Sequence, residues 1–235
     1  MKSINGYITE KLKISKPKHS IKNNYTLFPK DRDELEEMIK YEMQQNGDEC
    51  SLNHIDVSKI TDMDYLFSMD DNNTYKLNKF NGDISRWDVS NVTKMNGMFK
   101  YSDFNGDISE WDVSKVENMS YMFATSDFNG DISDWDVSNV IKMSGMFYDS
   151  NFNQDISLWD INNVKNMDYT FAYSKFNQDI SDWNVSNVEN MVSMFRRSKN
   201  FNQDISNWTI SQKCDTKNMF ANSNIKDEYK PKLPN

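Results

Sequence analysis

A segment of about 24 residues recurs along most of this chain, and this repeat limits the possible folds more than any local pattern does. The copy that begins at Phe104 reads FNGDISEWDVSKVENMSYMF. Closely similar copies begin at Phe80, Phe128, Phe152, Phe176 and Phe201. All six tryptophans share one position of the repeat: Trp87, Trp111, Trp135, Trp159, Trp183 and Trp208. A fixed period of this length predicts a solenoid, in which each unit packs only against its neighbours.

The repeat divides the chain into a leader, a cap, an array of coils and a tail. We predict a basic leader and linker at residues 1–30, a capping helix at 31–50, a solenoid of about seven coils at 51–224, and a tail at 225–235. Within the array, residues 51–79 are a degenerate first coil and residues 80–224 are six clear repeats. The cap is expected because its apolar residues have helical spacing, and because a solenoid needs an atypical unit over its first open face.

Each unit contains two hydrophobic patterns, which the copy at Phe104 illustrates. An extended segment with apolar residues facing inward comes first: Ile108, Trp111 and Val113. Apolar residues at three- and four-residue spacing follow and predict about two turns of helix: Val116, Met119, Met122 and Phe123. Stacking such units predicts an α/β repeat fold, with a parallel sheet on one side and short helices on the other.

The consensus FNxDISxWDVSNVxxMxxMF resembles the mycoplasma-type branch of the BspA-like leucine-rich repeats, which occur in bacterial surface proteins and some viruses. The resemblance covers Ser51 to about Asn224, which is most of the chain. It implies an LRR-like right-handed solenoid. It also implies a role in binding other proteins or in adhesion to surfaces.

Two polar columns of the repeat invite a structural or a chemical interpretation. The first is predicted to be an asparagine ladder that satisfies backbone groups in the turns: Asn81, Asn105, Asn129, Asn153, Asn177 and Asn202. The second consists of stacked aspartates, which repel one another unless something offsets their charge: Asp83, Asp107, Asp131, Asp155, Asp179 and Asp204. We favour hydrogen bonds from the local backbone over the alternative, a row of Ca²⁺ ligands.

A candidate partner-binding surface lies on the outward side of the predicted strand. It joins a further acidic column to a neighbouring column whose residue type changes from unit to unit. A position that varies among otherwise similar units is not needed for the fold, so it is available for recognition. The predicted binding residues are Arg86, Asp88, Glu110, Asp112, Asp134, Asp136, Leu158, Asp160, Asp182 and Asn207. A weaker alternative patch consists of Tyr101, Tyr148 and Tyr173.

Composition argues against an enzyme. The chain has two histidines, His19 and His54, and neither has a cysteine or carboxylate at metal-ligand spacing. We therefore expect no catalytic residue and no cofactor. The net charge of −9 makes the array a poor partner for nucleic acid. We also expect a monomer.

The sequence shows neither an apolar run of the ~18 residues that span a bilayer nor a secretory signal or surface anchor. A cytoplasmic or virion-associated protein is therefore favoured over a cell-surface one. Two functions remain open. The first is a protein-interaction or adhesion solenoid that presents its outward strand face to a protein partner. The second is a structural or calcium-stabilised spacer whose N-terminal arm makes the contact.

Overall fold

The computed structural model describes residues 25–69 and 76–234. Helix α1 spans Arg32–Asn46, and short 3₁₀ turns span Leu77–Lys79 and Asp227–Tyr229. The predicted leader falls outside the described residues over positions 1–24. None of the helices in the described ranges has the length and apolarity that a membrane crossing requires.

Helix α1 covers the first coil of the array. The Asp31 side chain caps the helix by accepting a backbone N–H from its first turn at 3.0 Å, which satisfies an otherwise orphaned donor. Leu35 and Ile39 are fully buried on one face of the helix. Arg32 Nε donates a hydrogen bond of 2.9 Å to the backbone carbonyl of Asp64 in the first coil. Apolar burial and a polar tether therefore both hold α1 against the array.

Each coil is a series of tight turns rather than a strand followed by a helix. In the coil from Phe104, the turns cover residues 108–111, 113–116 and 119–122. Each turn is closed by a hydrogen bond from the backbone N–H of its last residue to the carbonyl of its first, at 3.2, 2.9 and 3.2 Å respectively. The same turns recur along the array, so the repeat in sequence is also a repeat in backbone geometry.

The predicted α/β fold, with a parallel sheet and a layer of short helices, is wrong. The predicted strand forms two turns, and within the described residues the parallel β-pairing between neighbouring coils is limited to isolated bridges such as Lys94 with Asn118. The predicted helix fails because Tyr121, which lies inside it, has a φ angle of 56°. A right-handed helix requires negative φ at every residue. An LRR-like right-handed solenoid built from a sheet and helices therefore does not describe this chain.

A one-way set of backbone hydrogen bonds joins consecutive coils, and we call it the donor ladder. In the coil from Phe104, alternate N–H groups at residues 119, 121, 123 and 125 donate to carbonyls at 142, 144, 146 and 148 of the next coil, at 2.7–3.0 Å. The same four bonds occur at each junction from the first coil to the last. Every donor in the ladder belongs to the earlier coil, so the stack has a direction.

Aromatic columns fill the core inside the coils. Phe123 is fully buried, and its ring centroid lies 4.2 Å from that of Phe128 and 5.8 Å from that of Phe99 in the preceding coil. The tryptophans form a further column whose indole groups bond between coils, as when Trp135 Nε1 donates to the carbonyl of Ile108 at 3.1 Å. Because each indole N–H has a buried carbonyl partner, the column buries a large ring without leaving a polar group unsatisfied.

Candidate functional site

The asparagine column bonds one coil to the next. Asn105 Oδ1 accepts the backbone N–H of Asn129 at 2.9 Å, and equivalent bonds of 2.8–2.9 Å join every adjacent pair from Asn81 to Asn202. At the end of the array, the backbone N–H of Lys226 donates to Asn202 Oδ1 at 3.1 Å. The tail thus continues the asparagine ladder and covers this part of the last coil.

The aspartate column that begins at Asp83 uses its carboxylates within the same turn. Asp131 Oδ1 accepts the backbone N–H of Ser133 at 3.0 Å and the Ser133 hydroxyl at 2.7 Å. These bonds, from the backbone first and the hydroxyl second, hold the pKa of Asp131 below its ordinary value. The backbone bond recurs at all six positions, at 2.9–3.0 Å. Among the described residues, no group of three or more His, Cys, Asp or Glu side chains is placed to hold a metal ion.

We predict that Ca²⁺ will not change the thermal stability of the protein, because these aspartates already accept hydrogen bonds from their own turns. Unfolding midpoints in EDTA and in millimolar Ca²⁺ should agree within about 1 °C, since only a ligand that binds the folded state preferentially raises the midpoint. The matched control is Asp131→Asn, which keeps the acceptor oxygen and removes the charge. A rise of several degrees in the unsubstituted protein that is reduced in Asp131→Asn would instead identify the column as a cation site.

The second acidic column also has a structural task. Asp88 Oδ1 accepts the backbone N–H of Ser90 at 3.2 Å and its hydroxyl at 2.6 Å, and Asp160 pairs in the same way with Asn162. Where the column changes to Asn184, the amide oxygen keeps the acceptor role. These residues are therefore not reserved for a partner, although all lie at or near the surface.

The variable column occupies the corner of the first turn in each of the six coils from Phe80 onward. Its six members are all at least partly exposed: Arg86, Glu110, Asp134, Leu158, Asp182 and Asn207. Leu158 is 88% exposed, the largest value among the exposed large hydrophobic residues described. The predicted strand face is in fact a line of turn corners. We call the variable column together with its neighbouring acidic column the acidic ridge.

The sequence analysis missed a groove that crosses the same coils. In each coil its lining residues follow those of the acidic ridge by a few positions in the sequence. It has a volume of about 580 Å³ and is lined by Thr93, Lys115, Glu117, Asn139, Ile141, Asn163 and Lys165. Backbone hydrogen bonds between coils join several of these lining residues, including Ile141 N–H to the carbonyl of Glu117 at 2.8 Å. The signal was available, because the column of Thr93, Glu117, Ile141 and Lys165 changes residue type in every coil.

A smaller cleft contains two members of the tyrosine patch. It has a volume of about 220 Å³ and is lined by Lys100, Tyr101, Tyr121, Ala124, Thr125, Tyr148 and Tyr169. Tyr173, the third residue of the predicted patch, lies next to it, with its ring centroid 5.4 Å from that of Tyr148. The structure adds Tyr121 and Tyr169 from a different column of the repeat.

Stacked turn-rich coils with variable surface columns define a repeat protein. The sequence profile of the family described as "Mycoplasma protein of unknown function, DUF285" matches residues 33–151 and 124–230, and the chain belongs to this family. The match is consistent with the resemblance to BspA-like repeats. No curated protein and no solved structure matches the chain.

Proposed function

We propose that this chain is a non-catalytic repeat protein that binds another protein through the acidic ridge. The observation that carries the proposal is the contrast between constant and variable positions in the first turn. The tryptophans that close this turn are buried in all six coils from Phe80 onward, whereas the corner residue before each of them is accessible and differs in charge and polarity along the array. The backbone keeps the same turn whichever residue stands at the corner. The corner residue can therefore be selected for partner binding without a cost to the fold.

The chemistry of the ridge favours a partner that presents an apolar side chain between basic ones. Leu158 projects from the fifth of the seven coils, and the corners of the two adjacent coils carry Asp134 and Asp182. A partner side chain that covers Leu158 removes apolar surface from water, at about 25 cal/mol per Å². Flanking Lys or Arg residues would meet the carboxylates, which accelerates association and excludes acidic competitors.

The family resemblance supports the same class of function. BspA-like repeats are associated with protein binding and with adhesion, and neither role needs a catalytic group. The groove beside the ridge enlarges the available surface, and Ile141, which is 40% exposed, offers a further apolar contact there. We also propose that the protein acts as a monomer.

Peptide selection tests the proposal and does not require the partner to be identified. Peptides selected from a random library on the immobilised protein should contain an apolar residue flanked by Lys or Arg. Leu158→Ser should weaken their binding at least tenfold, or about 1.4 kcal/mol, in a titration by fluorescence anisotropy. Leu233→Ser is the matched control, because Leu233 is 37% exposed but lies in the tail. Equal binding to both variants, or selected peptides without basic residues, would contradict the proposal.

The second candidate, a spacer whose N-terminal arm makes the contact, is separated from the first by a deletion. Removing residues 1–24 leaves the acidic ridge unchanged in sequence. Binding of the selected peptides should persist in the shortened chain if the ridge is the site. Its loss would assign binding to the arm and leave the coils as a spacer.

A further inference from the structure

Over the first five coils, one column of the repeat alternates between tyrosine and glycine with a period of two coils, before it continues with Ser193 and Asn218. Tyr65, Gly97, Tyr121, Gly145 and Tyr169 follow one another in successive coils, with φ angles of 59°, 61°, 56°, 57° and 57°. Glycine adopts this left-handed backbone freely, whereas a side chain costs about 1–2 kcal/mol. The three tyrosines are therefore not required by the backbone, and their rings need another explanation.

The alternation is a packing arrangement in which the rings of Tyr65 and Tyr121 each cover the glycine of the next coil. A Cβ atom added at Gly97 would overlap the ring of Tyr65, and one added at Gly145 would overlap the ring of Tyr121. These rings thus lie flat along the surface, each across the following coil, and successive rings are two coils apart. Backbone hydrogen bonds join neighbouring coils at this column, as from Tyr121 N–H to the Ser144 carbonyl at 2.7 Å. Hydrogen-bonded parallel backbones lie ~4.8 Å apart, so we infer a repeat of ~9.6 Å for rings two coils apart.

A second row of aromatic residues borders the first and encloses the cleft. Tyr148 packs edge to face against Tyr169, with 6.4 Å between ring centroids, and at 5.4 Å from Tyr173. Lys100 Nζ lies 5.3 Å from the ring centroids of both Tyr101 and Tyr121, which places a cation in the cleft wall. The result is a shallow channel with aromatic walls, which runs across several coils and carries a positive charge near one end.

The spacing of these rings matches one kind of peptide. A polyproline II helix has three residues per turn and rises 3.1 Å per residue, so it repeats every ~9.3 Å. Its proline rings dock between aromatic side chains, and its backbone carbonyls have no internal hydrogen bonds and can accept from tyrosine hydroxyls. Successive turns of such a helix would meet Tyr121, which lies beside Lys100, and then Tyr169, which lies beside Tyr148. An acidic residue beside the prolines would face Lys100.

We propose that the tyrosine cleft, formed by Tyr101, Tyr121, Tyr148 and Tyr169 with Lys100, binds a proline-rich segment of a partner protein in the polyproline II conformation. The cleft uses residues of the third turn and its flank, so it is a different surface from the acidic ridge on the first turn. The experiments can therefore refute either proposal without affecting the other.

The test measures binding of fluorescein-labelled peptides to the full chain by anisotropy. The probes are a decaproline peptide, the same peptide with an added aspartate at one end, and a glycine-serine peptide of equal length. We expect micromolar to high-micromolar binding of the proline probes and none of the glycine-serine probe. The aspartate probe should bind more tightly than decaproline, and Lys100→Gln should remove that difference.

Tyr121→Asn and Tyr169→Asn should each weaken binding at least tenfold. Asparagine tolerates positive φ, so these variants keep the backbone preference of the site. Tyr41→Asn is the matched control, because Tyr41 is 60% exposed on α1. Thermal unfolding of each variant checks that the coils remain folded.

Two outcomes overturn the proposal. One is the absence of proline-peptide binding at millimolar protein, and the other is binding that Tyr121→Asn and Tyr169→Asn leave unchanged. Binding of an oligosaccharide in place of the peptides, abolished by the same two variants, would assign the cleft to a sugar and also overturn it.

Discussion

Replacing Phe123 with alanine is expected to lower the free energy of unfolding by about 3–5 kcal/mol. Phe123 is fully buried, and its ring lies between those of Phe99 and Phe147 at centroid distances of 5.8 and 5.9 Å. Removing the ring leaves a cavity at the junction of three coils, and the donor ladder on the same segment prevents the backbone from closing it. Urea denaturation followed by tryptophan fluorescence measures the change.

Two controls separate this effect from a general sensitivity to substitution. Leu158→Ala should change the free energy of unfolding by no more than about 0.5 kcal/mol, because its side chain is exposed. Phe220→Ala, in the same column of the last coil, should cost less than Phe123→Ala because Phe220 is only partly buried. A cost below about 1 kcal/mol for Phe123→Ala would show that the aromatic columns are not the core.

Replacing Gly82 with alanine is expected to disrupt the junction between the cap and the array. A Cβ atom at this position would overlap the backbone carbonyl oxygen of Cys50. Backbone hydrogen bonds on both sides of Gly82 hold its segment against residues 48–50. The N–H of Asn81 donates to the carbonyl of Asp48 at 2.9 Å, and the N–H of Asp83 donates to the carbonyl of Cys50 at 3.2 Å. The overlap is therefore with an atom that cannot rotate away, and we expect a loss of about 3 kcal/mol or more, at the upper end for overpacking.

The same column supplies the matched control for Gly82. In later coils it carries glutamine, and Gln154 Nε2 donates to the carbonyl of Asn129 at 3.0 Å. Gly130→Gln should accordingly be tolerated, because the new side chain can make the equivalent bond to the preceding coil after a small shift of the Phe128 ring. Thermal unfolding compares the two variants. Equal losses would mean that the column requires glycine everywhere, contrary to this account.

The sequence was sufficient to locate the units and the buried positions. The Phe, Trp and Met columns lie in the core. Each recurs once per coil, so its members occupy equivalent places in the stack, and the regular spacing in sequence is enough to identify them. The backbone conformation was predicted wrongly, since apolar residues three and four apart are buried equally well by a helix and by consecutive turns. A contrary signal was present: Gly97, Gly145 and Asn218 share a column, and these residue types favour positive φ, which a helix excludes.

The candidate sites were predictable only in part. Variation at Leu158 marked the acidic ridge, but the groove column at Ile141 varies as much and was overlooked because the segment was assigned to a helix. The asparagine column was expected to bond to the turns. In the structure each side chain bonds to the following coil, and this depends on how the coils are aligned, which the sequence does not give. The tyrosine cleft combines Tyr121 and Tyr148 from different columns, so only the three-dimensional arrangement brings them together.

The direction of the donor ladder makes the two ends of the described array of coils chemically unlike. The first coil ends in carbonyl groups, one of which Arg32 already occupies. The last coil ends in backbone N–H groups at Thr216, Asn218, Phe220 and Asn222, for which the described residues provide no backbone acceptor. Two copies that met through their last coils would oppose donor to donor, so symmetric end-to-end pairing cannot extend the ladder. By contrast, duplicating an internal coil reproduces the same junction on both sides, and a gene for such a protein can change the length of the array without altering either terminus.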